Sequence, residues 1–189
     1  KPSLLTMDEV ETLFHEFGHA LHSFFRDVRY NSAGGTERDF VELPSQINEH
    51  WAFEPEVLNV YAKHYATGEI IPMELVKKID ESSKYGQGFA TVENLAASLV
   101  DMDLHTLTEV PADFDVMAFE QAKLKERGIP SQIFPRYRIT NFSHTMEGGY
   151  SAGYYSYKWA EVLDCDAYEA FKETGDIFNQ EVAQKFRQY

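Results

Sequence analysis

The chain has 189 residues, with 17 Lys and Arg against 31 Asp and Glu and a net charge of −14. It is long enough to bury a core and too acidic to grip nucleic acid or an anionic membrane surface. No apolar run approaches the roughly 18–20 residues needed to span a bilayer, and the single cysteine, Cys165, excludes an internal disulfide and a cysteine-built metal site.

One cysteine is also the usage expected of a reducing, cytoplasmic compartment. The chain opens on Lys1-Pro2-Ser3 without an initiator Met and stops after Gln188-Tyr189 without a turn signal, so it reads as processed or excised from something longer. Thr6-Met7-Asp8-Glu9 has the form of a capping box, and Val10, Leu13, Phe14, Phe17, Leu21, Phe24 and Phe25 follow at helical spacing, which predicts a helix to about Asp27. Asn31 to Gly35 reads as a loop, and a second helical stretch begins near Asp39 and crosses Pro44, which either kinks or starts it. Further helices are expected over 55–66, 73–84, 90–108, 114–127, 151–172 and 179–188, punctuated by Gly68, Gly86, Gly128-Ile129-Pro130 and Gly175. Only Ile133-Phe134 suggests a short β element. The expectation is a single, mainly α domain over residues 1–189.

The chemistry begins at His15-Glu16-Phe17-Gly18-His19, an H-E-x-x-H sequence inside the first predicted helix. Four residues turn a helix by about 400°, so both imidazoles leave one face and can reach one metal ion. Glu16, one position on, is placed to take a proton from water. A catalytic metal needs a third protein ligand and an open position. The metzincin pattern would put Gly at 22 and His at 25, where this chain has His22 and Phe25. His22 could in principle ligate, but three ligands on one straight helix splay along its axis. A carboxylate from the second helix suits better: Glu37, Glu42 or Glu49, the last two seven apart and on one helical face. Asp39 could hydrogen-bond a ligating imidazole.

A second feature lies downstream. Four of the 11 tyrosines, Tyr150, Tyr154, Tyr155 and Tyr157, crowd together just after Gly148-Gly149. Tyr150, Tyr154 and Tyr157 share a helical face, and Tyr155 points elsewhere, toward the core. The stripe is either core packing or a set of phenol donors able to stabilise a tetrahedral oxyanion. His50, His64 and His105 stand alone and read as structural, and Cys165 reads as a small apolar residue.

His15-Glu16-Phe17-Gly18-His19-Ala20-Leu21-His22, followed by Arg38-Asp39-Phe40-Val41-Glu42-Leu43-Pro44-Ser45-Gln46, resembles the thimet oligopeptidase family of zinc metallopeptidases. Gln46 to Ala52 is nearer its peptidyl-dipeptidase members than its oligopeptidase A members, and Phe142 to Trp159 is similar to its second signature segment. The resemblance covers the whole chain and implies a gluzincin-type helical catalytic domain. It implies one Zn2+ per chain on His15, His19 and Glu42, with Glu16 as the general base. It implies that Tyr157 and His144 stabilise the transition state, and that Tyr150, Tyr154 and Gly149 serve the substrate, the glycines lending the loop freedom to close. The stretch from His19 to Glu42 is slightly shorter than the family pattern, around Gly34-Gly35-Thr36.

The implied activity is hydrolysis of short peptides, with release of C-terminal dipeptides or internal cleavage, and no nucleic-acid or membrane partner. Releasing dipeptides requires recognition of a free C-terminal carboxylate, for which Arg138 or Arg136 is the candidate. Family members are much longer, so the missing N-terminal part of its own chain is an expected partner. The other class of reading is a helical module whose zinc is purely structural.

Overall fold

The computed structural model describes residues 4–188; the chain ends Lys1-Pro2-Ser3 and Tyr189 lie outside the described residues. The capping box forms as the sequence predicts: the Thr6 hydroxyl accepts the Glu9 N–H at 3.2 Å and the Glu9 carboxylate accepts the Thr6 N–H at 2.7 Å. It opens helix α1 (Met7–Phe25). Then come α2 (Leu43–Ala52), α3 (Pro55–Tyr61), α4 (Met73–Ser83), α5 (Gln87–His105), α6 (Val116–Glu126), the single turn α7 (Ser143–Met146), α8 (Ser156–Lys172) and α9 (Gln180–Gln188). Pro44 starts α2 rather than kinking it, because proline fits the first helical turn, where its missing N–H has no partner to lose. No strand forms among the described residues. Ile133-Phe134 is irregular, and one isolated antiparallel bridge joins Lys63 and Ile70 instead.

Contacts divide the chain into two compact units: Lys1–Ser82 with Trp159–Tyr189, and Ser83–Lys158. In the first, α1 lies directly on α2. The core is Ile47, Tyr168 and Phe171, with Trp51, Val182 and Ala183 packed around them. Polar contacts register α8 on α2: Asp164 accepts from Gln46 Nε2 at 2.9 Å and contacts His50 Nε2 at 2.8 Å. The His50 ring stacks on Tyr168 at 4.6 Å. The free, exposed Cys165 follows Asp164 on α8.

In the second unit, Ala97 of α5 packs with Phe142 and Tyr154. Glu120 of α6, with no exposed surface, accepts the Ile139 N–H at 2.8 Å and pairs with Arg138. Asp103 of α5 takes a two-pronged pair from Arg127, at 2.6 and 3.2 Å. The predicted helix from 151 starts only at Ser156; residues 151–155 are turns, a difference that matters below.

Candidate metal centre and aromatic cluster

Gly18, between the two histidines, lets α1 and α2 meet. A Cβ there would stand 2.3 Å from the Pro44 carbonyl oxygen and 2.6 Å from Ser45 Cα, so only glycine permits this approach. Asn48 Nδ2 adds a 2.6 Å bond to the Phe14 carbonyl of α1. The approach brings Glu42, the residue just before α2 and 1% exposed, against the imidazoles. Its Oε2 lies 3.4 Å from Nε2 of His15 and 3.4 Å from Nε2 of His19. The Ser45 hydroxyl donates to the same carboxylate oxygen at 3.0 Å.

Donors about 2.0–2.1 Å from a tetrahedral ion stand roughly 3.3–3.4 Å apart. The two observed spacings therefore fit a tetrahedral ion with one position left for a non-protein ligand, and these three residues form a candidate metal-binding group. Of the carboxylates considered as third ligand, Glu42 is the one that stands against both imidazoles. Glu49, on the next part of the same face, instead meets the far side of the His15 ring, with Oε1 2.5 Å from Nδ1. His22 and Glu37 lie outside the group.

The electrostatics favour a cation. Burial depresses the His15 imidazolium, yet the Glu42 and Glu49 carboxylates outweigh it and hold its pKa up at about 10. Burial, then repulsion from Glu49, pushes the Glu11 carboxyl up. The Glu16 side chain is exposed, next in sequence to His15, and makes no side-chain hydrogen bond or ion pair among the described residues. An open apolar groove of about 1040 Å³ lies on the same unit, lined by Phe14, Leu21, Phe25, Ile47, Trp51 and Phe171, and none of His15, His19 and Glu42 lines it.

The second unit gathers His144 with the tyrosines. The His144 ring centroid is 6.1 Å from Tyr150, 5.6 Å from Tyr154 and 6.2 Å from Tyr157. Tyr150 stacks on Tyr157 at 5.3 Å and 19°. Nδ1 of His144 is buried without a hydrogen-bond partner among the described residues. The cluster is not the helical stripe that spacing predicted. Gly149 has φ +77° and Ala152 φ +53°, so the chain turns rather than winds before Ser156. Tyr154 is 4% exposed, with its ring 5.2 Å from that of Tyr157, while Tyr155, expected in the core, is 41% exposed. Burial, and the neighbouring Tyr137, push the Tyr154 phenol pKa well up. Gly148 is also closely approached: a Cβ would stand 3.0 Å from the His144 Cα and carbonyl oxygen.

Arg138 pairs with the buried Glu120 and lies 5.5 Å from the Phe134 ring. Arg136 is exposed, 5.7 Å from the ring of Tyr137, which in turn lies 4.8 Å from His144.

Residues 1–189 match peptidase family M3. This chain belongs to peptidase family M3. The M3 chain is 46% identical to the dipeptidyl carboxypeptidase of Escherichia coli (strain K12) over 191 residues, 100% of this chain and 28% of the relative. The dipeptidyl carboxypeptidase of Salmonella typhimurium is 45% identical over 99% of this chain and 28% of its own length. Oligopeptidase A of Escherichia coli is 43% identical over 98% of this chain and 28% of its own length. The M3 chain thus spans 28% of the length of each of these three relatives. No helix among its described residues is long and apolar enough to cross a membrane.

Sequence reasoning missed two residues of these sites. Glu49 was considered only as a ligand, although a carboxylate seven residues from one ligand can equally support another. Asp101 gave no signal, because its partners lie some fifty residues away, at Ala152 and Tyr154.

Proposed function

We propose that this M3 chain is the zinc-binding catalytic part of an enzyme that hydrolyses short peptides and releases C-terminal dipeptides. The observation that carries the reading is the donor triangle of His15, His19 and Glu42 beside the unengaged Glu16. Dipeptidyl carboxypeptidase relatives at 45–46% identity favour the dipeptide product. Internal cleavage is the second reading, favoured by oligopeptidase A relatives at 42–43%. The remaining polypeptide of a longer enzyme is the proposed partner, and the free Cys165 suits a cytoplasmic location.

His15, His19 and Glu42 would hold one zinc ion. When bound, zinc supplies Lewis acidity at the scissile carbonyl and eases ionisation of the attacking water. Glu16 accepts the water's proton and passes it to the leaving amine. Glu49 holds Nδ1 of His15, which keeps Nε2 as the metal-facing nitrogen. By the family resemblance, Tyr157 and His144 would donate to the developing oxyanion and Tyr150 and Gly149 would hold the peptide backbone, with Tyr154 packed behind Tyr157. Because Arg138 is engaged by Glu120, we assign the C-terminal carboxylate to Arg136, which can pair with it in two-pronged fashion.

A model peptide offered with a free and with an amidated C-terminus, with products identified by mass, separates the readings. Dipeptides from the free form alone are expected. Internal fragments from both forms select the second reading, and no cleavage by the zinc-loaded enzyme overturns both. Replacing Glu49 by Ala is expected to weaken zinc binding by roughly 10–100-fold, with Glu49→Gln intermediate because its amide oxygen still accepts from Nδ1. Chelator competition on the purified protein measures this, and unchanged affinity in Glu49→Ala removes Glu49 from the site.

A further inference from the structure

The tyrosines reach their cluster through a turn that local sequence does not favour. Ala152 sits at φ +53°, in the left-handed region that penalises a Cβ, two residues before Tyr154 and five before Tyr157. Such a conformation persists only where its surroundings over-determine it. Some of that constraint is local: the Ser151 hydroxyl donates to the Thr145 carbonyl at 2.5 Å and the Tyr150 N–H to the His144 carbonyl at 2.9 Å. The rest comes from α5. Asp101, 2% exposed, accepts the Ala152 N–H on Oδ1 and the Tyr154 N–H on Oδ2, each at 3.0 Å. His105, one helical turn further on, places Nδ1 2.9 Å from the Asp101 backbone carbonyl oxygen and 2.8 Å from the same Oδ1. Both carboxylate oxygens are thus committed, each to one backbone N–H, with the His105 ring nitrogen beside Oδ1.

We infer that Asp101, oriented by His105, is the positioning residue for the peptide-binding aromatic cluster: it holds the backbone of Ala152 and Tyr154 so that Tyr150, Tyr157 and His144 keep their mutual geometry. The inference rests on the reading that these side chains act on the peptide. Asp101 itself lies beneath the turn and acts through the two N–H groups it binds. Asp101→Asn preserves size, but its one carbonyl satisfies a single N–H while its NH2 faces the other donor. Ala152→Gly removes the steric penalty of the left-handed turn and so compensates this loss in particular. A merely global role for Asp101 would not respond to that second change.

The test is steady-state kinetics of the zinc-loaded enzyme on a short peptide, with zinc content and melting temperature measured alongside. The variants are Asp101→Asn, Ala152→Gly, the two combined, His105→Gln and Tyr157→Phe. Asp101→Asn is expected to lose roughly tenfold to a hundredfold in kcat/KM, as a misplacement of about 1 Å does elsewhere. Zinc content should stay unchanged, and the double variant should recover a substantial part of the loss. His105→Gln should lose a few-fold in the same sense, and it decides the matter if Asp101→Asn does not fold. Wild-type kinetics in Asp101→Asn or, failing that, His105→Gln, alongside an impaired Tyr157→Phe, overturns the inference alone. So does a loss in Asp101→Asn that Ala152→Gly leaves untouched. A fully active Tyr157→Phe overturns the functional reading and the inference with it.

Discussion

Replacing Glu16 by Gln is expected to lower kcat by about 10²–10⁴-fold, the range for a positioned general base, while the protein keeps one zinc per chain. The substitution is nearly isosteric, and the Glu16 side chain is exposed and makes no side-chain hydrogen bond among the described residues, so little structural cost is foreseen. The metal donors are untouched, because the triangle is built from His15, His19 and Glu42. What disappears is the proton acceptor beside the site. Metal analysis together with steady-state kinetics decides it. A purely structural zinc site needs no base, so full activity with bound metal in Glu16→Gln would remove the mechanism.

The second large effect is expected at Gly18→Ala. In an exposed helix interior this change gains about 1 kcal/mol of helix propensity. Here the new Cβ meets backbone, 2.3 Å from the Pro44 carbonyl oxygen and 2.9 Å from the Pro44 carbonyl carbon, and backbone cannot swing aside as a flexible side chain can. Overpacking of this kind costs about 1–3 kcal/mol or more. The helices must separate, and Glu42 moves with α2 away from the imidazoles. The expected result is a melting temperature lower by several degrees and zinc binding weaker by roughly tenfold or more, as for other disturbances around a metal site. Calorimetry of the metal-free protein and chelator competition measure the two parts. Unchanged values in both would mean that the contact between α1 and α2 is not what sets the donor spacing.

The parts of the molecule legible in advance are those governed by local rules. The Thr6 capping box, the start of α2 at Pro44 and the pairing of His15 with His19 each depend on residues within one or two turns. Choosing between Glu42 and Glu49 was beyond such rules, since seven-residue spacing places both on one face. In the structure Glu42 stands just before the helix and Glu49 within it, so they approach opposite nitrogens of the same ring. The tyrosine segment misled for another reason. Helical spacing was applied to residues 150–155, where the left-handed Gly149 and Ala152 turn the chain, and Tyr155, expected in the core, is exposed. The division into two compact units and the reach of Asp101 depend on long-range contacts that no window of sequence contains.

The position of Cys165 has a practical consequence. It is a single exposed thiol on the helix whose Asp164 is bonded to Gln46 and His50 of α2, the helix that carries Glu49. A fluorophore or spin label attached there would report on the packing of α8 against α2 without a competing thiol in these 189 residues. Burial, and then the Asp164 carboxylate, raises its pKa to about 11, so little thiolate exists at neutral pH and coupling is best carried out under alkaline conditions.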